Sequence, residues 1–193
     1  MLTLAILGFL HGEPLHGYEL KSRITGLTGH VRPVSDGALY PAITRLEKAG
    51  MLVRRSRPGT GAVPRQVLEL TADGRAELER RLAEPEEVEI SDQIRFFTVA
   101  AFLDRLADPA LQAAVLRRRL AFLEAPSSFF YDADGRPVAA EQERNPFRRG
   151  MLLVARASGA AERAWLAETI AELEDTGRDA RPGDVTGRPG RDA

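Results

Sequence analysis

Four side chains that carry hydrogen-bond donors recur within one short stretch of the sequence, residues 35–51. Tyr40, Thr44, Arg45 and Lys48 supply a phenol, a hydroxyl, a guanidinium and an ammonium group. Steps of three or four residues link them, so a helix would place them on neighbouring positions of one face. Groups of these types contact phosphate oxygens and base edges of DNA. The stretch therefore predicts either a DNA-contacting face or the solvated side of an ordinary amphipathic helix.

The same stretch has the periodicity of a helix with one buried side. Leu39, Ile43 and Leu46 recur at i, i+4 and i+7 and form an apolar stripe from which the polar residues are excluded. Ser35 is placed to cap the amino end of this helix, and Gly50 is placed to stop it. The pattern predicts an amphipathic helix that begins close to Ser35.

The elements around this helix complete a recognisable order. Residues 2–10 and 16–24 have the spacing of two short helices that precede it. Residues 51–57 and 65–71 are rich in aliphatic residues and flank a Gly- and Pro-containing turn, which predicts a hairpin. Three helices followed by a two-stranded wing form the winged helix-turn-helix plan, in which the third helix enters the major groove.

Positive charge is concentrated in this half of the chain. Residues 1–75 hold ten Lys and Arg against six Asp and Glu, whereas residues 76–193 hold seventeen against twenty-two. Four arginines lie in the predicted hairpin, where guanidinium groups suit a phosphate backbone. The residues predicted to contact double-stranded DNA are Ser35, Asp36, Gly37, Tyr40, Thr44, Arg45, Lys48, Arg54, Arg55, Arg57 and Arg65.

The second half of the sequence predicts a helical unit. One helix is expected over Ile90–Leu106, a second begins at Asp108 with Arg117–Arg119 on its solvent side, and a third runs from Phe147 to about Asp175. Three helices form only a thin core, so part of their broad apolar faces would stay exposed to solvent. This exposed apolar surface favours a homodimer over a self-contained bundle. The predicted organisation is a winged helix-turn-helix domain at 1–83, a boundary at 84–89, a helical dimerisation domain at 90–176 and a disordered tail at 177–193.

Other classes of function find little support in the residues. The chain has no cysteine and three histidines, none with an i, i+4 partner, and it lacks a Gly-rich phosphate loop and a serine elbow. We therefore predict no catalytic site, no metal and no cofactor. No apolar run approaches the ~20 residues that span a bilayer, so no membrane partner is expected and the predicted location is the cytoplasm.

Aromatic residues in the second half suggest two alternatives. An aromatic stripe at helical spacing is commonly part of a core, but it can also line a cavity between subunits that takes a small aromatic effector. The residues of this stripe are Phe96, Phe97, Phe102 and Trp165.

Four strings resemble the PadR-type transcriptional regulators: Leu15–Leu20, Gly37–Ala42, Arg45–Gly50 and Leu70–Gly74, in that order. In the second half, Ile94–Phe96 and Ala164–Leu166 resemble the virulence-activator-type helical domain of one branch of that family. The resemblance implies a dimeric winged-helix repressor that is sometimes released from DNA by a small ligand. It also implies that Tyr40 contacts a phosphate and that Pro64 and Arg65 form the wing base, although Gly61–Val67 departs from the family's compact wing.

Taken together, the residues and the resemblance predict a mainly α fold with a small β-hairpin, a winged helix-turn-helix domain followed by a helical dimerisation domain. The predicted function is that of a sequence-specific transcriptional regulator, a homodimeric repressor on a palindromic operator. The alternative is a winged-helix module that binds another protein and not DNA.

Overall fold

The computed structural model describes residues 1–29, 33–57, 65–125, 134, 136 and 138–179. These residues form α-helices and one two-stranded antiparallel sheet, which confirms the predicted fold class. In chain order the elements are α1 Leu2–Gly12, α2 Gly17–Thr28, α3 Asp36–Lys48, β1 Leu52–Arg57, β2 Arg65–Leu70, α4 Ala72–Ala83, α5 Glu87–Ser91, α6 Gln93–Ala100, α7 Pro109–Glu124 and α8 Pro146–Asp179. None of the helices in the described part of the chain combines the length and apolarity needed to cross a lipid bilayer.

Helix α3 begins and ends at the predicted residues. The Ser35 hydroxyl accepts a hydrogen bond from the Ala38 amide at 3.2 Å and so caps the amino end. At the other end Gly50 has a φ of 74°, and the Met51 amide donates to the Leu46 carbonyl at 2.9 Å. This is a Schellman closure, in which glycine relieves the strain of the left-handed conformation. The predicted apolar stripe of α3 is buried in the core.

The hairpin packs against the start of α2 as well as against α3. β1 and β2 pair in a continuous register that ends with Arg57 opposite Arg65. Leu15, just before α2, pairs with Leu68 of β2 through two backbone hydrogen bonds of 3.1 and 2.8 Å. The base of the wing is therefore fixed to the helix-turn-helix, whereas its predicted tip at 58–64 lies outside the described residues.

A close approach between the end of α3 and the start of α4 holds the base of the wing. The Thr71 hydroxyl donates to the Gly50 carbonyl at 2.7 Å and accepts from the Gly74 amide at 3.1 Å. A Cβ atom at Gly74 would lie 2.2 Å from the Met51 carbonyl oxygen. Glycine is therefore required where the start of α4 packs against the turn that follows α3.

The single helix predicted over Ile90–Leu106 is wrong, because the segment is divided. Asp92 ends α5 and caps α6, its carboxylate accepting a hydrogen bond from the Arg95 amide at 2.9 Å. A further 3-10 turn at Leu103–Arg105 follows α6. A capping aspartate competes with the continuous helical backbone, and the apolar spacing on either side of it does not reveal the break.

The last helix is longer than predicted. α8 begins at Pro146 and continues to Asp179, so residues 177–179, the first three of the predicted tail, are helical. The rest of that predicted tail, 180–193, lies outside the described residues.

One hydrophobic core runs across the predicted boundary at 84–89. Buried side chains of α1 to α4 and of α5 to α8 belong to the same cluster. Phe102, which follows α6, packs its ring edge-on against Phe9 of α1 at a centroid distance of 5.0 Å. The same ring lies directly over Gly8, where a Cβ atom would come within 2.6 Å of it. The two halves are thus joined by tight packing.

We expect Gly8→Ala to lower the free energy of unfolding by about 1–3 kcal/mol, because the added methyl group overpacks the contact with Phe102. This cost exceeds the gain of up to ~1 kcal/mol in helix propensity. Urea unfolding at fixed protein concentration measures the change. Gly12→Ala is the matched control, since nothing lies within 4 Å of its added Cβ atom. Equal effects of the two substitutions would contradict the packing described.

Arg119 corrects the prediction that residues 117–119 face solvent. Arg117 and Arg118 are exposed, but Arg119 is only 2% exposed. Its Nε atom donates to Glu162 of α8 at 2.7 Å, and its terminal nitrogen donates to the Ile90 carbonyl at 2.6 Å. A buried guanidinium of this kind is stable only because carboxylate and carbonyl oxygens satisfy it.

Candidate nucleic-acid interface

The exposed face of α3 carries the predicted donors together. Tyr40, Thr44, Arg45 and Lys48 are all exposed, and the Tyr40 side chain is 43% exposed. Thr44 and Lys48 follow Tyr40 at one-turn intervals, with Arg45 beside them. This arrangement of a phenol, a hydroxyl and two cations on one ridge can donate hydrogen bonds to base edges and phosphates.

The amino end of α3 holds the other three predicted residues of this helix. Ser35, Asp36 and Gly37 are exposed. The Ser35 hydroxyl is occupied by its capping bond, and the Asp36 carboxylate pairs with Lys21 of α2 at 2.7 Å. The Lys21 ammonium compensates a negative charge that would otherwise repel phosphate.

Two of the predicted wing arginines are already ion-paired. The Arg54 guanidinium makes two hydrogen bonds with Glu47 of α3, at 2.6 and 3.0 Å, and these bonds raise the pKa of Arg54. Arg55 pairs with Glu69 of the neighbouring strand at 3.1 Å. Successive residues of a strand point to opposite faces, so these two arginines lie on different sides of the hairpin.

The remaining wing arginines, Arg57 and Arg65, are brought together at the far end of the described hairpin, directly opposite each other in the register. Within the described residues, Arg45 and Lys48 have no carboxylate within ion-pair distance. These two cations of α3 are therefore available to an external anion without the loss of an internal partner.

A cavity of about 250 Å³ opens between the start of α2, the exposed face of α3 and the base of the wing. Its wall includes Tyr40, whose ring lies close to Gly17; a Cβ atom at Gly17 would lie 3.3 Å from the ring. The lining residues are His16, Gly17, Tyr18, Tyr40, Ile43, Arg54, Gln66, Val67 and Leu68.

Sequence reasoning missed two aromatic residues of this cavity. The Tyr18 side chain is 65% exposed, and its ring is stacked on that of His16 at 5.7 Å and an interplanar angle of 7°. The His16 Nδ1 atom lies 2.8 Å from the Gln66 carbonyl oxygen of β2. The string Leu15–Leu20 contained both aromatic residues, but its spacing did not indicate that β2 packs against them.

The four aromatic residues predicted to line a ligand cavity differ in their exposure. Phe96 is fully buried and Phe102 is packed on α1, so neither is free to face a partner subunit. Phe97 and Trp165 are 45% and 40% exposed, and Trp165 lies 6.5 Å from the Phe96 ring. The cavity between subunits stays a prediction, with Phe97 and Trp165 as the exposed residues of the set.

An exposed apolar face lies along α8. Phe147, Met151 and Val154 recur at i, i+4 and i+7 and are 82%, 59% and 70% exposed, and Trp165 continues the same stripe. An open groove of about 490 Å³ lies beside this stripe, with Gln93 of α6 in its wall. We call these α8 residues the α8 stripe.

Comparison with known protein families finds one match, in the amino-terminal part of the chain. Residues 6–80 match the model of the transcriptional regulator PadR-like family. No curated protein matches the sequence significantly.

Several solved structures are similar along most of the chain. Bacillus subtilis PadR in complex with operator DNA is 20% identical, with a TM-score of 0.42 over 89% of this chain and 97% of that chain. The same protein in complex with p-coumaric acid is 21% identical, with a TM-score of 0.40 over 90% and 98%. A PadR-like transcriptional regulator from Bacillus cereus is 21% identical, with a TM-score of 0.39 over 89% and 94%.

Proposed function

We propose that this protein, in which residues 6–80 form a PadR-like transcriptional regulator domain, is a homodimeric repressor that binds a palindromic operator in double-stranded DNA. The observation that carries the proposal is the exposed face of α3, where Arg45 and Lys48 lie beside Tyr40 and Thr44 with no ion-pair partner among the residues that the structure describes. A single α-helix fits the major groove of B-form DNA, and its exposed donors then reach base edges.

Each group of this surface has a distinct role in the proposed complex. Thr44 and Arg45 contact base edges, and Lys48 contacts a phosphate. The hydroxyl of Tyr40 donates to a phosphate oxygen of the DNA backbone, next to the cavity beside α2. The wing arginines track phosphates next to the groove. Arg54 contributes after it exchanges its Glu47 partner for a phosphate. The exchange needs no unfolding, because the Arg54 side chain is 46% exposed in this ion pair.

Arg45→Ala tests the assignment of base readout. We expect it to weaken binding to the selected operator by about 5- to 150-fold, the equivalent of 1–3 kcal/mol for a lost base contact, and to alter sequence preference. DNA fragments retained by the purified protein supply the operator, and titrations compare it with random DNA. Arg118→Ala, which removes an exposed arginine of α7, is the control and should bind as the unmodified protein does. Equal losses on operator and random DNA after Arg45→Ala would contradict base readout.

Salt dependence tests the phosphate contacts of the same surface. If the dimer neutralises roughly four to eight phosphates, log affinity falls with log salt at a slope of about −4 to −7. Lys48→Ala should reduce the slope by about one for each subunit and weaken all sequences alike. A slope unchanged by this substitution would remove Lys48 from the interface.

The second subunit is proposed to pack on the α8 stripe. Phe147, Met151 and Val154 form a contiguous exposed apolar surface, which in a soluble protein marks an interaction site. The groove beside Gln93 adjoins this surface and can accept side chains of a second copy. A twofold pair would set two copies of α3 on half-sites about one helical turn apart.

Val154→Asp should shift the protein from dimer to monomer in sedimentation or light scattering, because it places a charge within the apolar stripe. Ala167→Asp introduces the same side chain on a different exposed face of α8 and should leave the dimer intact. Monomer formation by both variants, or by neither, would contradict this choice of surface.

A small aromatic ligand is the proposed effector of this regulator, and the exposed rings of Phe97 and Trp165 are its proposed contacts. Trp165 belongs to the α8 stripe and is 40% exposed, so a planar compound bound against it would change the emission of the only tryptophan. A screen of planar aromatic acids and cations by tryptophan fluorescence tests this, and no change in emission or melting would count against it.

A further inference from the structure

His16 connects three parts of the proposed DNA surface through one side chain. Its Nδ1 atom lies 2.8 Å from the Gln66 carbonyl oxygen, which requires the ring to donate this hydrogen bond to β2. Its backbone amide donates to the Glu19 carboxylate at 3.0 Å and so helps to start α2. The hydrogen bond to the ring spans 50 residues of sequence, so it ties the N-cap residue of α2 to β2.

The face of the same ring supports Tyr18. The two rings are parallel within 7° at a centroid distance of 5.7 Å, and the Tyr18 hydroxyl donates to Glu19 at 3.3 Å. The hydrogen bond from the His16 amide lowers the pKa of Glu19 and keeps this acceptor charged. An exposed tyrosine would otherwise sample several rotamers, so the stack and the hydroxyl contact select one of them.

The position of this assembly relates it to DNA binding. His16, Tyr18, Tyr40 and Gln66 surround one cavity, and Tyr40 lies on the exposed face of α3. Tyr40 brings a phenol donor to a cavity that adjoins the wing base, and such a donor suits a phosphate group. The Tyr18 hydroxyl already donates to Glu19, so Tyr18 contributes its ring to the wall of this cavity. The wing base and Tyr18 must both be fixed if the cavity is to keep its shape beside Tyr40.

We propose that His16 is a positioning residue for DNA binding: its Nδ1–H bond to Gln66 sets the wing against α2, and its ring face holds Tyr18 in the wall of the cavity that Tyr40 also lines. This inference rests on the proposed function, since it assigns a role within the same DNA surface. The nearby Leu15 to Leu68 backbone pair gives a readout that needs no DNA, because its two amides exchange with solvent only when the wing separates from α2.

Three substitutions at this position separate the two contacts. His16→Asn places an amide N–H close to where Nδ1 lies and also suits a helix N-cap, but it has no ring to stack on Tyr18. His16→Phe keeps a ring for the stack and removes the donor. His16→Ala removes both. Thermal melting identifies any variant whose loss of binding comes only from lost stability.

The experiment measures amide hydrogen exchange of Leu15 and Leu68 and affinity for the selected operator. We expect faster exchange in His16→Ala and His16→Phe but near-normal exchange in His16→Asn. Operator affinity should fall about tenfold or more in His16→Ala, which loses both contacts, and by less in the other two variants. Unchanged exchange in all three variants, or affinity losses that merely follow melting temperature, would overturn the proposal.

The two levels of the proposal fail separately. If the unmodified protein retains no DNA, the proposed function fails, while the exchange pattern still decides whether His16 fixes the wing. If the unmodified protein binds its operator and His16→Ala binds equally well, the function stands and the positioning role is overturned.

Discussion

Arg119→Ala is expected to lower the free energy of unfolding by about 3–5 kcal/mol, the range found when one partner of a buried ion pair is removed. Arg119 and Glu162 are 2% and 7% exposed. Without the guanidinium, the Glu162 carboxylate keeps the Gln93 side chain, at 3.1 Å, as its one remaining donor in the described part of the chain. The carbonyl oxygens of Ile90 and Ser91 lose their donor as well. Urea unfolding monitored at fixed protein concentration measures the loss.

Two further variants show whether the cost comes from the unpaired charge. The double variant Arg119→Met with Glu162→Leu removes both charges and keeps apolar volume, so it should recover a large part of the lost stability. Arg118→Ala removes a neighbouring arginine that is exposed, and its effect should stay within about 0.5 kcal/mol. A double variant as unstable as Arg119→Ala would show that the ion pair itself stabilises the fold.

The energetic weight of Arg119 follows from the number of elements it joins. Its guanidinium lies 5.0 Å from the Phe96 ring centroid and 5.4 Å from that of Phe122, in addition to its bonds to α5 and α8. Gln93, which also bonds Glu162, lies in the groove beside the α8 stripe. The Arg119–Glu162 pair is therefore linked through Gln93 to the groove beside the proposed dimer surface. Its hydrogen bonds to the Ile90 and Ser91 carbonyls also connect it to α5.

Local sequence signals were sufficient for α3. Ser35 caps the helix, Gly50 closes it, and Leu39 and Ile43 are buried as their spacing predicts. Each of these features depends on residues within a few positions along the chain, since capping and helical periodicity are local. The exposed donors of α3 could be predicted for the same reason, because they occupy what the buried stripe leaves free.

The features that the sequence did not predict depend on distant partners. Arg119 is buried because Glu162 lies 43 residues further on, and the motif of three arginines carries no sign of that partner. Arg54 is predicted to contact DNA, and the sequence does not indicate that Glu47 binds it through two hydrogen bonds. Tyr18 joins the candidate site only because β2 folds back onto the start of α2. Tertiary contacts of this kind override local propensity and charge counts.

Gly74→Ala is expected to lower the free energy of unfolding by about 3 kcal/mol, at the upper end of the usual range for overpacking. The added Cβ atom would lie 2.2 Å from the Met51 carbonyl oxygen and 2.6 Å from a methyl group of Leu70. A backbone oxygen cannot turn aside as a side chain can. This carbonyl also accepts from the Thr71 amide at 3.1 Å, so a shift that relieves the overlap weakens the junction below the wing.

Urea unfolding and amide exchange at Thr71 measure the effect of Gly74→Ala together. Gly26→Ala is the matched control, because nothing lies within 4 Å of its Cβ position in α2, and it should gain up to about 1 kcal/mol from helix propensity. Faster exchange at Thr71 with a lower midpoint is the expected result. If Gly74→Ala instead gained stability as Gly26→Ala does, the start of α4 would not pack closely against the carbonyl of Met51. The wing base would then need another means of holding its position beside α3.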